Sequence, residues 1–272
     1  MARRNAPKVL LINTAQRIGS VCLLALGAAA HAAAPDTALI EGGRFETVLP
    51  PTPDTKTTQV APFRLDRALV SNAEFARFVK ASPQWRRDRV ARLFADEQYL
   101  SHWASAAAPG ADIARQPVTH VSWFAASAYC EARGQRLPRW YEWELAAAAS
   151  ETERDARANS EWRQRILDWY STSARSKLPD AGASPANYYG VRDLHGVAWE
   201  WVEDVGGIFV SEDSRGQQDV SLQKFCGAGA LDLEQKENFE MLMRVAMLSS
   251  MKPPYTSGSM GFRCAADAGA AP

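Results

Sequence analysis

The hydrophobic rhythm of the chain changes along its length. Ile18 to Ala30 is an almost unbroken apolar run, preceded by the basic opening Met1-Ala-Arg-Arg and by Lys8 and Arg17, and closed by the small-residue triplet Ala30-His-Ala32. That order predicts a secretory signal, residues 1–32, removed after the triplet. An uncleaved anchor is the alternative, but the run is short for a bilayer span. Glu41-Gly-Gly-Arg-Phe45 and Val60-Ala-Pro-Phe-Arg-Leu-Asp66 then read as two short extended pieces around a Pro/Thr-rich loop. Ser71-Asn-Ala-Glu74 has capping-box spacing and predicts a helix that buries Phe75, Phe78 and Val79. Ser122 can cap a second helix, Trp123 to Arg133, which Gly134 stops in a left-handed conformation. A third should begin after Pro138 and run through Trp143 toward Ala149. From about Asp180 onward glycines and aromatics are frequent and regular period is lost, which predicts a loop-rich body held by aromatic packing.

Charge and composition narrow the function classes. The full chain has 31 basic and 31 acidic side chains, and cutting after Ala32 removes four basic and no acidic ones. The slightly acidic remainder has no electrostatic footprint for nucleic acid. No further apolar stretch suggests stable membrane insertion once the signal is gone. Trp85-Arg-Arg-Asp-Arg89 offers charge for an anionic partner, although such runs are more often a solvated helix face with one anchoring aromatic. Nine tryptophans could line a sugar cleft; filling a core between irregular segments is the simpler role. Cys22 belongs to the signal, leaving Cys130, Cys226 and Cys264. An oxidising compartment favours one disulfide and one spare thiol among them, and composition alone does not choose the pair.

Four phrases carry more information. Pro117-Val-Thr-His-Val-Ser-Trp123, Gly134-Gln-Arg-Leu-Pro138, Gly196-Val-Ala-Trp-Glu-Trp201 and Gly261-Phe-Arg-Cys-Ala265 occur in that order, with Gly42 to Phe45, Ala61 to Asp66 and Val70 to Phe75 before them. Together they resemble the sulfatase-modifying-factor family, whose best-known members are formylglycine-generating enzymes. The resemblance implies a single-domain, loop-rich, C-type-lectin-like α+β fold over residues 38–267. It also implies a Cys130–Cys264 disulfide and one structural calcium, held by the side chains of Asp193 and Glu200 and the carbonyls of Gly196 and Ala198. Several oxygens around a tight turn suit a hard cation, and pairing of Glu200 with an arginine is the alternative.

The resemblance fails at the chemistry. Formylglycine-generating enzymes follow a Gly-Gly-Ser strand with two cysteines that bind Cu(I), for which soft thiolates are suited. Here the strand reads Phe225-Cys-Gly-Ala-Gly-Ala230, and the two cysteine positions fall near Asp232 and Glu240. Ordinary formylglycine formation is therefore not expected. The histidine-rich extra domain of the iron-dependent ergothioneine branch is also missing; His102, His120 and His195 have no His-x₃-His spacing and read as structural donors. If the chain is an oxidoreductase, Cys226, Asp232 and Glu240 are the catalytic candidates, the thiol as nucleophile or ligand and a carboxylate as base. Met243, Met247 and Met251 recur every four residues and with Cys226 could hold copper, although such stripes usually pack a core. Two readings follow. One is a periplasmic or secreted maturation factor or oxidase-like accessory protein for an exported enzyme or peptide-derived client, using copper or iron if it is redox-active. The other is a non-catalytic metal chaperone or client-binding module.

Overall fold

The computed structural model describes residues 36–49, 55–171, 177–205 and 239–269. Pro35–Pro272 forms one compact unit; the proposed signal segment lies outside the described residues. Three small sheets are present among them: β1 (Thr37–Ile40), β4 (Phe63–Asp66) and β7 (Ala265–Asp267) in the order β1-β4-β7, β2 (Gly43–Glu46) with β3 (Thr57–Val60), and β5 (Trp199–Glu200) with β6 (Met260–Gly261). The first two are antiparallel and the last is parallel. The stretch expected as one extended piece, Val60 to Asp66, is thus two strands in different sheets, split at Ala61-Pro62, where proline can donate no ladder hydrogen bond.

Helix α1 (Asn72–Ala81) opens as expected: Glu74 N–H donates to the Ser71 hydroxyl and Ser71 N–H to the Glu74 carboxylate. A cap of this kind contributes about 1 kcal/mol. Its inner face buries Phe75, Phe78 and Val79. Ser122 caps α2 (Trp123–Glu131), and Gly134, with φ +68°, turns the chain back through a hydrogen bond to Glu131. Helix α3 (Trp140–Ala147) follows Pro138. Helices α4 (Ser160–Ser171) and α5 (Phe239–Ser250) complete the set used below. Trp85–Arg89 differs from the expected helix face. Only Pro83–Trp85 forms a single 3₁₀ turn, because Arg86 pairs locally with Asp88 and Arg87 donates to the carbonyls of Leu100, Ser101 and Trp103. Helix-breaking side-chain to backbone bonds win there.

Aromatic rings join these elements. Phe75 contacts Phe78, Trp103, Tyr129 and Phe262, which ties α1, α2 and the approach to β7 into one core. Trp103, Trp140, Trp143, Trp162 and Trp201 are buried, so most of the indoles fill the interior. Cys130 of α2 and Cys264 before β7 are joined by a fully buried disulfide.

Candidate functional site

The turn that leads into β5 is held by charge. Asp193 has φ +63° and Gly196 φ +77°. The Trp169 ring lies against Gly196, where an added Cβ would stand 2.7 Å from the indole. Glu200 is fully buried and faces Arg263, which donates from Nε to Oε2 at 2.7 Å and from Nη2 to Oε1 at 3.0 Å. Arg263 also donates to the carbonyls of Asp66 and Arg192. From α5, Arg244 donates to the Glu200 carbonyl at 2.6 Å, with its guanidinium 3.5 Å from the ring centroid of Trp143. The Asp193 carboxylate accepts from the backbone N–H groups of Gly182 and Ser184 and from the Ser184 hydroxyl.

Beside this turn His195 is enclosed by Trp143, Trp162 and Trp169. Its Nε2 donates to the Ala147 carbonyl at 2.7 Å, and Nδ1 has no hydrogen-bond partner among the described residues. Burial lowers its pKa to about 4, helped by the nearby Arg244 and Arg263 charges, so the ring is neutral at pH 7. His195, Trp162 and Trp169 line a hollow of about 140 Å³, with the Glu151–Arg165 ion pair beside it. A larger hollow of about 380 Å³ is walled by residues from 87 to 99, with Arg87, Arg89 and Arg92 beside Asp88, Asp96 and Glu97. This mixture of signs gives no preference for an anion.

A second histidine arrangement was not legible in the sequence. His102 and His120 face each other with ring centroids 5.0 Å apart, and His120 has φ +50°. Burial lowers both pKa values, that of His102 to about 4 with a further contribution from His120. His102 Nε2 lies 3.4 Å from the Asn72 side-chain oxygen, which also accepts from Trp103. The eighteen-residue spacing of the two histidines carries no metal-motif signal; only the fold makes them neighbours.

Of the expected site residues, the structure pairs Cys130 with Cys264 and puts Asp193, Gly196, Ala198 and Glu200 on one short connection. Cys226 and Asp232 lie outside the described residues, as does the side chain of Glu240, whose backbone belongs to α5. In the methionine stripe, Met243 is exposed while Met247 and Met251 pack against the core. Arg244 and Arg263 were missed. Each is a single arginine within an apolar stretch, Met241 to Leu248 and Gly261 to Ala265, and that isolation is the available signal of a buried charge.

Residues 25–268 match the family described as the sulfatase-modifying factor enzyme 1-like domain. The chain belongs to this family. Among its relatives, the mouse (Mus musculus) "Inactive C-alpha-formylglycine-generating enzyme 2" is 28% identical, with 88% of each chain covered. The formylglycine-generating enzyme of Thermomonospora curvata is 27% identical over 78% of this chain and 84% of its own. Among solved structures, PvdO from Pseudomonas aeruginosa aligns over 86% of this chain and 94% of its own, with 17% identity and a TM-score of 0.46. The family match and the helices and small sheets described above make the fold a single-domain α+β member of the sulfatase-modifying-factor family.

The calcium expected from family resemblance can be tested against these donors. Both oxygens of Glu200 already accept from Arg263, and both oxygens of Asp193 accept from Gly182 and Ser184. A calcium ion seeks six to eight oxygens at close range, and two guanidinium groups stand against the Glu200 backbone and carboxylate. As arranged, these residues do not fit the ion.

Proposed function

We propose that this member of the family is an exported maturation factor, or an oxidase-like accessory protein, acting on an exported enzyme or peptide-derived metabolite rather than making formylglycine. The cysteine inventory carries the reading. With Cys130 and Cys264 joined and Cys22 in the proposed signal, Cys226 is the one thiol left to the chain. A Cu(I) site built from two thiolates cannot be assembled from one. The mouse relative's name, which calls that protein inactive, is in keeping with a family that keeps its fold without this reaction. A buried disulfide and the basic-apolar N-terminal segment support a periplasmic or secreted location.

In this reading Cys226 is the nucleophile or metal ligand and Asp232 or Glu240 the base; a bound copper or iron ion would supply redox chemistry. The same single thiol favours, as a second reading, a metal chaperone or client-binding module without turnover. Incubating the purified protein with a sulfatase-type cysteine peptide, Cu(I) and oxygen separates these from the usual family chemistry. The peptide mass should stay unchanged, and conversion at the rate of an authentic formylglycine-generating enzyme would overturn the proposal. Metal content with oxygen consumption then divides oxidase from chaperone.

A further inference from the structure

We propose that the turn from Asp193 to Glu200 is held by the internal guanidinium of Arg263 and takes no calcium ion at Glu200. Its surroundings are those of a coordinated cation. The carboxylate of Glu200 and the carbonyls of Asp66 and Arg192 converge on it at 2.7 to 3.2 Å, and both Arg263 and Glu200 are completely shielded from water. The three acceptors come from the end of β4, from the residue before Asp193 and from β5, so one side chain fastens segments far apart in sequence.

Charge balance points the same way. Glu200 supplies one negative charge, already matched by Arg263 in a two-bonded pair, and Arg244 reaches the Glu200 carbonyl from the opposite element. A divalent ion at Glu200 would meet two guanidinium groups, and like charges at short range in a dry interior repel strongly. The Asp193 carboxylate does different work, organising the loop around Gly182 and Ser184 through two N–H groups and one hydroxyl. Ser184 returns the bond by accepting from the Asp193 N–H at 2.6 Å. Neither carboxylate waits for a ligand. The planar fork of arginine also fixes geometry that a spherical ion would leave to its ligands.

The experiment is thermal unfolding of the full exported chain in EGTA and in millimolar calcium, with metal content measured after dialysis. The expected result is no stoichiometric calcium and a Tm that differs by less than about 1 °C between the two conditions, because an ion that does not bind the native state cannot shift it by mass action. A chelation-induced fall in Tm that Glu200→Gln abolishes would overturn the proposal. A fall that survives in Glu200→Gln supports it, since the ion then sits elsewhere. Should Glu200→Gln fail to fold, Asp193→Asn serves the same comparison. Arg263→Lys should lower Tm in both conditions alike, because an ammonium cannot reproduce the two-bonded pair with Glu200; a Tm left unchanged by Arg263→Lys would overturn the holding role of Arg263.

Discussion

Arg244 of α5 stacks its guanidinium on Trp143 of α3, 3.5 Å from the ring centroid, while its Nη2 donates to the Glu200 carbonyl of β5. Trp140 lies on the same side, 5.9 Å from the guanidinium. One residue thus joins two helices and a strand. Its charge is accepted in a dry place by a π face and a carbonyl dipole, both of which gain strength when water is excluded.

Arg244→Lys should therefore lose stability even though it keeps the charge. An ammonium cannot lie flat on an indole and donate to the same carbonyl, so a loss of about 2 kcal/mol is expected. Arg244→Met, which keeps the volume and removes the cation, separates the packing part from the charge part. Urea unfolding followed by tryptophan fluorescence measures both. Equal stability of wild type and Arg244→Lys would remove the stack from the account.

The disulfide should dominate resistance to unfolding. Cys130 and Cys264 are 134 residues apart, and closing so long a loop stabilises by about 4 to 5 kcal/mol in the chain-entropy treatment, as an upper figure. Non-reducing peptide mapping after alkylation of the purified protein should show these two linked and Cys226 labelled. Cys130→Ala should shift the urea midpoint strongly downward. A bridge that includes Cys226 would contradict the pairing.

Much of this architecture was legible in the residues. The Ser71–Glu74 capping box, the Ser122 cap and the left-handed Gly134 are local signals, and local hydrogen bonds decide them. The order of the short phrases gave the family and the Cys130–Cys264 pair. Long-range partnerships were another matter. Whether Glu200 meets a metal or Arg263, and whether His102 meets His120, depends on segments brought together from distant parts of the chain, and no periodicity encodes that. The arginine pairing of Glu200 was legible only as an alternative. Trp85–Arg89 misleads for the opposite reason: its helical composition is overridden by donations from Arg87 to three carbonyls.

Acid should weaken the fold through His195. Burial holds its native pKa at about 4, below the ordinary value of 6.5, so the unfolded chain binds a proton that the native ring refuses. Stability from this group is complete above pH 6.5 and declines as pH falls toward 4, with a slope of at most about 1.4 kcal/mol per pH unit. The carboxyls of Asp66 and Glu144 are raised by burial and act with the opposite sign, favouring the native state as they protonate. The histidine part is therefore read as a difference: His195→Gln should show a flatter decline between pH 6.5 and 4 than wild type. Parallel curves would mean that His195 is not neutral and buried as described.

Cys226 separates the two functional readings. If the chain is exported as proposed and Cys130 pairs with Cys264, a spare thiol invites mispairing, so the presence of Cys226 favours a use for its reactivity as ligand or nucleophile. Cys226→Ser should then abolish metal binding or client maturation with normal protein levels. Unchanged function in Cys226→Ala would favour the client-binding module instead.

The last test concerns Gly196, where backbone and packing act together. Its φ of +77° is favoured by glycine, and an added Cβ would stand 2.7 to 2.9 Å from three atoms of the Trp169 ring. Gly196→Ala should cost about 1 to 3 kcal/mol, combining left-handed backbone strain with displacement of the indole. The two parts can be separated, because Trp169→Ala removes the obstacle and leaves the backbone term. In the double variant the cost of adding the methyl group should fall to about 1 kcal/mol, so the two substitutions should be strongly non-additive. Since Trp169 also stacks on His195, its removal should raise the histidine pKa toward 6.5 by admitting water, which the imidazole resonances report under pH titration. Strict additivity together with an unmoved His195 titration would show that Trp169 does not lie over this turn in solution.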